Sequence, residues 1–242
     1  MQFKTELHAH TAEVSPCAKL KAEEVVDAYI EAGYSTLIIA DHFCDYVIDN
    51  AGATWAQKID HYLAGYRRAK AYAGDRINVL MGCELRFVGS SNDYLIMGMT
   101  EEFLYNHPEL HKMKLNRFRP FAIENGMMII QAHPFRNSLD IVKPELLDGM
   151  EIFNATPNPP HDCRNDIANI WAQRFGLIRT SGSDFHGGSY KISGGIITDE
   201  EITSMEQLIR ILRSETHTLI CEGDIAKKEG LSTMPAAYER IK

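Results

Sequence analysis

The sequence predicts an α/β fold, a single barrel of parallel strands alternating with helices. Short apolar runs alternate with stretches of helical periodicity along most of the chain. Five of those runs are followed closely by a histidine or a carboxylate, and strand C-termini are where such a barrel gathers its functional groups. The length, 242 residues, suits one domain of this kind and no second core.

The first run, FKTEL at 3–7, leads to His8-Ala9-His10. In an extended segment, residues i and i+2 point to the same side, so the two imidazoles can grip one ion. Residues 21–32 place Val25, Val26, Tyr29 and Ile30 on one helical face, with Gly33 as a C-cap. The run TLIIA at 36–40 leads to Asp41-His42, and residues 55–73 read as one long amphipathic helix. INVLMGC at 77–83 leads to Glu84, and DYLIMGM at 93–99 reads as a further strand. A short helix at 117–125 precedes MMIIQA at 127–132, which leads to His133. MEIF at 150–153 is followed by a rigid loop at 154–162 that holds three of the nine prolines. A helix at 163–175 precedes LIRTSGS at 177–183, which leads to Asp184 and His186. The last elements are a helix at 204–214 and the strand TLIC at 218–221. We divide the chain into a domain at 1–222 and a tail at 223–242 that packs on the barrel or is partly mobile. Helices between strands imply right-handed crossovers and a mostly parallel sheet.

Composition bounds the function. With 45% hydrophobic and 24% charged residues, the chain is ordinary for a globular protein. A net charge of −8 argues against coating an extended nucleic acid, which needs clustered Lys and Arg. A small phosphorylated substrate needs only a local cationic site. Five cysteines, odd in number and never in a C-x-x-C pair, read as reduced thiols of a cytoplasmic protein. No run of 18 apolar residues suggests a membrane span, and the N-terminus has no secretory apolar region. There is no GxSxG, Walker or GxGxxG motif. Imidazole and carboxylate donors instead suit zinc, manganese or iron.

The succession His8-x-His10, Asp41-His42, Glu84, His133-Pro134 and Asp184-x-His186 resembles the PHP (polymerase and histidinol phosphatase) family, from about residue 3 to residue 221. The resemblance implies a distorted seven-stranded (β/α) barrel and a centre of two to three divalent ions at the strand C-termini. It implies His8, His10 and Asp184 on the first metal, Glu84 bridging the first and second, His133 on the second, and His42 and His186 on the third. Two positions depart from the family. Thr100 stands where many members have a histidine, and residues 15–17 read SPC where many have a histidine or aspartate. Glu13 is the nearest carboxylate and is expected to serve the third metal. His107 and His111 are expected at the surface, though either could replace the missing ligand.

The implied activity is metal-dependent phosphoester hydrolysis, by in-line attack of a metal-bridging hydroxide on a small phosphorylated metabolite. His42 and His186 could also protonate the leaving group, and Asp41 is expected to orient a ligand imidazole. Arg86, Arg136, Arg164, Lys191, Asn154 and His161 follow strand ends and are the expected substrate contacts. Narrower versions are a histidinol-phosphate phosphatase and a nucleotide phosphatase or nuclease. From other classes come a non-catalytic metal-binding regulatory module and a metal-dependent amide or ester hydrolase. The sequence leaves substrate, metal identity and oligomeric state open.

Overall fold

A computed structural model describes residues 1–223 and the short strand Met234–Pro235. The expected tail at 223–242 lies, apart from Gly223 and that strand, outside the described residues. The fold is mixed α/β. One sheet holds β1 (Phe3–Ala9), β2 (Thr36–Ile39), β4 (Asn78–Met81), β10 (Ile196–Thr198), β11 (Thr218–Leu219) and β12 (Met234–Pro235). The other holds β3 (His42–Phe43), β5 (Glu84–Arg86), β6 (Asp93–Met97), β7 (Met128–Gln131), β8 (Gly149–Asn154) and β9 (Ile178–Gly182).

The sheets adjoin at two places. Thr36 pairs with Asn78 and His42 with Glu84, the same offset on both sides of the break, so the β3–β5 ladder continues the β2–β4 ladder. On the far side Ala9 bridges Phe185 in parallel; the His10 amide donates to the Phe185 carbonyl at 3.0 Å and the Phe185 amide to that of His8 at 3.2 Å. The pairing pattern does not by itself close a single barrel.

Strand direction departs from expectation. Strand β6 runs antiparallel to both β5 and β7, and β10 antiparallel to β1. Residues 87–92 are all that join β5 to β6, too few for the crossover that a parallel neighbour needs. Glu84 therefore pairs with Leu95, Asp93 at the start of β6 pairs with Arg86, and the chain beyond the end of β6 runs away from both.

Helix α1 (Ala22–Glu31) buries Val25, Val26 and Tyr29 on Leu37, Ile39 and Val79, while Ile38 faces the larger core with Leu7, Ile96, Ile130 and Phe153. The alternation along β2 thus divides an inner core from a layer beneath the helix. The stretch expected as one helix is two, α3 (Trp55–Tyr62) and α4 (Ala64–Ala73), parted at Leu63. Thr54 starts α3 with a capping box to Gln57. At the head of α4, a Cβ on Gly65 would stand 2.7 Å from Asp41 Oδ2 and also collide with Thr11, so only glycine lets the helix approach this close. The other expected helices are α6 (Leu115–Glu124), α7 (Asn165–Phe175) and α8 (Met205–Ser214); α2 (Asp45–Ile48) and α5 (Glu101–Asn106) add short turns. No described helix is long and apolar enough to cross a membrane.

Candidate metal centre

Five histidines and two carboxylates meet where the two sheets adjoin. Strand β1 directs His8, and His10 just past its end, to one side and Glu6 to the other, toward Tyr29 of α1, and all three are buried. The Glu6 carboxylate accepts from the amides of Leu7, His8 and Ser183 and from the Tyr29 hydroxyl, tying β1 to the end of β9. The register shift between Glu6 and Ala9 lets His8 face away from Glu6 although the two stand two residues apart. His133 (φ 30°) and Asp184 (φ 48°) sit just past β7 and β9 in left-handed backbone, a conformation that non-glycine residues hold only when their surroundings impose it.

Glu84 is central. Its Oε1 is 3.1 Å from His133 Nε2 and 3.4 Å from His8 Nε2; its Oε2 is 2.5 Å from His42 Nδ1 and 3.5 Å from His10 Nε2. Asp184 Oδ1 is 3.3 Å from His8 Nε2, 3.2 Å from His10 Nε2 and 3.4 Å from His186 Nδ1. Among the described residues, three triads have donor atoms mutually within 4.8 Å: His8 with His10 and Asp184, His8 with Glu84 and His133, and His10 with His42 and His186.

The nitrogens left over are informative. His8 Nδ1 pairs with Glu151 Oε1 at 2.9 Å, His10 Nδ1 with Ser15 Oγ at 3.1 Å, and His186 Nδ1 with the Asp184 carbonyl at 2.7 Å. Each Nδ1 therefore carries a proton, which leaves Nε2 as the nitrogen to face a cation. His8 Nε2, His10 Nε2, Glu84 Oε2, Asp184 Oδ1 and His133 Nδ1 are buried with no hydrogen-bond partner. Buried polar atoms are seldom left so, and nitrogen and carboxylate donors together fit divalent cations.

Electrostatics follow from the crowding. Burial disfavours charge on His8, but Asp184, Glu151 and Glu84 outweigh it and hold its pKa well above that of a free imidazole. Burial, reinforced by His186 and His42, holds His10 well below. Burial also opposes charge on Glu84, yet His42 and His8 keep its carboxyl well below the usual range. Asp184 is likewise held low, by His8 and His186.

Asp41 stands behind this cluster. Its carboxylate accepts from the Thr11 amide, the Thr11 hydroxyl and the Ser15 hydroxyl, each at 2.7 Å, and it reaches His10 through Ser15. Burial pushes it up to about 6 against those bonds.

Glu151 escaped the sequence reading. It is fully buried, and besides holding His8 it accepts from the His133 amide at 2.8 Å and the Asn154 amide side chain at 2.8 Å. An acid inside the apolar run MEIF was the available signal. Glu151→Gln is expected to lower metal affinity by about 10–100-fold, measured by competition with a chromogenic chelator; unchanged affinity would remove Glu151 from the centre.

Asn154, expected to face substrate, is buried instead. Its amide donates to Glu151 and, at 3.3 Å, to Asp184 Oδ2, which Thr156 also holds at 2.8 Å. Glu13 does not join the cluster. It accepts from the Ala22 amide at 3.0 Å, at the start of α1, and lies 3.7 Å from Arg68, because a helix N-terminus draws a carboxylate. Cys17 lies there instead, with Sγ 3.2 Å from His42 Nε2. Burial opposes its thiolate, but bonds to His186 and His42 bring the thiol down to about 6.

Thr100 caps α5 by accepting from the Phe103 amide at 3.1 Å, at the end of β6 away from Glu84. At the near end Asp93 Oδ2 lies 3.8 Å from His133 Nε2. Arg86 grips Asp93 through two 2.6 Å bonds, and Arg136 reaches it at 3.5 Å. His111 is buried rather than superficial, 3.2 Å from Asp49 and stacked on Trp55; His107 stacks on Phe103. Neither approaches the cluster. Burial lowers the pKa of partly exposed His161, aided by the charge of Arg136. Arg164 pairs with Asp166 at 3.3 Å on the surface. Lys191 lines a cavity of about 220 Å³ between the loops after β8 and β9, with Ser189 and Ser193.

Residues 6–212 match the PHP domain family. A search of curated proteins gives no match. Among solved structures, PsfC from Pseudomonas syringae PB-5123 superposes with a TM-score of 0.68 at 12% identity, covering 95% of this chain and 96% of that one. A two-domain protein of Bacteroides vulgatus ATCC 8482, containing a predicted PHP-like metal-dependent phosphoesterase, superposes at 0.66 with 15% identity over 92% of this chain and 65% of its own. A Bifidobacterium adolescentis ATCC 15703 protein, also assigned as a metal-dependent phosphoesterase, gives 0.53 at 14% identity over 87% and 96%. At these identities the likeness is one of fold.

Proposed function

The chain belongs to the PHP domain family, and from that premise we propose that it is a metal-dependent phosphoesterase acting on a small phosphorylated metabolite. The observation that carries this is Glu84, whose two oxygens lie between four histidines with unpartnered nitrogens around them. We assign His8, His10 and Asp184 to a first cation, Glu84 as the bridge to a second with His133, and His42 and His186 to a third. Zinc, manganese and iron all suit these donors. The two adjoining sheets are read as one distorted barrel, opened where the strands break at residues 40–41 and 82–83.

When bound, the cations supply an acidified water and neutralise charge on the phosphoryl oxygens. The protein's own groups do the rest. Glu151, Ser15 and the Asp184 carbonyl fix the imidazole tautomers, so that each lone pair is presented without reorganisation. Arg136 is the cation best placed for substrate phosphate, since Arg86 is committed bidentately to Asp93. The net charge of −8 favours a compact metabolite over a polynucleotide.

Elemental analysis of protein purified without chelator, followed by phosphate release from a phosphoester panel with zinc or manganese, tests the reading. Two to three ions per chain with metal-dependent turnover is the expected result. Bound metal with turnover of amides alone, or of nothing, overturns it in favour of another hydrolase or a binding module. Arg136→Ala is expected to raise KM about tenfold with a smaller change in kcat, the loss of one charged hydrogen bond. An unchanged KM would place the phosphate elsewhere.

A further inference from the structure

The stretch that departs from the family's usual histidine or aspartate contains a thiol, and the fold carries that thiol to the cluster. Cys17 Sγ stands 3.2 Å from His42 Nε2. Nδ1 of the same ring meets Glu84 Oε2 at 2.5 Å. With Nδ1 turned to the carboxylate, Nε2 is the nitrogen that faces Cys17. His186 is also close: its Nδ1 is held by the Asp184 carbonyl at 2.7 Å, and Cys17 interacts with this ring as it does with that of His42. The rings of His42 and His186 lie 4.4 and 4.2 Å from that of His10, centroid to centroid. His10 Nε2, fully buried, has no hydrogen-bond partner and belongs to the same triad of donors.

We propose that Cys17 supplies a sulfur ligand to the cation held by His42 and His186, so that this position of the centre is a thiolate site while the other two are not. The inference rests on the metal centre proposed above.

Distance supports it. Tetrahedral zinc, with Zn–S about 2.3 Å and Zn–N about 2.0–2.1 Å, holds a sulfur and a nitrogen ligand roughly 3.6 Å apart. The sulfur and nitrogen here need to open by only a few tenths of an ångström. Glu13, the carboxylate otherwise nearest in sequence, is spent on the start of α1. Binding releases the thiol proton to solvent and forms the metal–sulfur bond, with no change of oxidation state. A soft donor makes this position discriminate. It favours zinc or iron over manganese, while the positions built from imidazole and carboxylate alone accept all three.

Cobalt(II) substitution of the whole 242-residue chain tests this with a spectrum rather than a rate. The wild type is expected to show visible ligand-field bands together with a near-ultraviolet thiolate-to-cobalt charge-transfer band. Cys17→Ser is expected to lose the charge-transfer band and bind about one ion fewer, keeping the remaining ligand-field absorption. Cys17→Asp is expected to regain the ion without the band. Ligand-field bands with no charge transfer in the wild type would overturn the proposal and leave the metal centre standing. A charge-transfer band that survives in Cys17→Ser would overturn it too, by assigning the sulfur to another cysteine. No cobalt absorption at all would bring down the metal centre itself, and this inference with it. If Cys17→Ser does not fold, alkylation of the wild type decides: Cys17, exposed in this structure, is expected to react with iodoacetamide when metal-free and to be protected by zinc. Equal labelling in both states overturns the proposal.

Discussion

Glu84→Ala is expected to abolish binding at two of the three proposed cation positions and to lower phosphoester turnover by about 10³-fold. Among the described residues, Glu84 is the one side chain whose oxygens approach His8, His10, His42 and His133 together. Its removal leaves these imidazoles around a void with less negative charge to bring cations in. Lewis-acid stabilisation of a phosphoryl transition state is worth several kcal/mol, and about 1.4 kcal/mol is a factor of ten in rate. Glu84→Gln separates charge from shape, since it keeps the volume and one carbonyl oxygen. If charge on the bridge is what matters, the glutamine variant fails nearly as badly as alanine. Elemental analysis and phosphate release measure both effects, and circular dichroism checks that the variants fold. An alanine variant with full metal content and full turnover would sink the proposed centre.

Stripping the metal is expected to cost stability as well as activity. Without cations the five unpartnered buried atoms of the cluster have no hydrogen bond to offset their desolvation. A ligand at a hundred times its Kd stabilises the folded state by about 2.7 kcal/mol. For a chain of this size, each kcal/mol moves Tm by about 2–4 °C. Calorimetry with chelator against calorimetry with excess zinc or manganese should therefore show a difference of about 5–10 °C, growing with metal concentration. The sign is fixed by linkage: whatever binds the native state and not the unfolded one raises Tm. Equal midpoints in both conditions would mean that the cluster binds no cation tightly, whatever its geometry.

How far the sequence went depended on the kind of information each feature needs. The face of α1 formed by Val25, Val26 and Tyr29, the apolar strands, and the residues that follow them are local facts. Periodicity of 3.6 or 2 is carried by neighbouring residues, so the chain shows it before folding. His8 and His10 on one side of β1 needed nothing more. The helix expected at 55–73 matches in extent but not in continuity: it is parted at Leu63, two residues before Gly65 packs against Thr11 and Asp41, a long-range contact.

The remainder is long-range. Glu151 meets His8 across 143 positions of sequence, and no window of the chain contains both. Asp93 rather than Thr100 comes to lie beside His133 because β6 runs antiparallel, a consequence of a connection too short for a helix. Asn154 turned inward to Glu151 and Asp184, and Glu13 turned to the start of α1, for the same reason: each had a stronger partner that only folding supplied. By itself the sequence determined that this is an α/β protein with histidines and carboxylates just past its strands, since strand ends and residue types are written locally. The tertiary structure alone decided which of those groups share one point, which hold the others in place, and that a cysteine stands among them. Strand direction and helix approach set the aim of a side chain, and neither is a property of its neighbours in sequence.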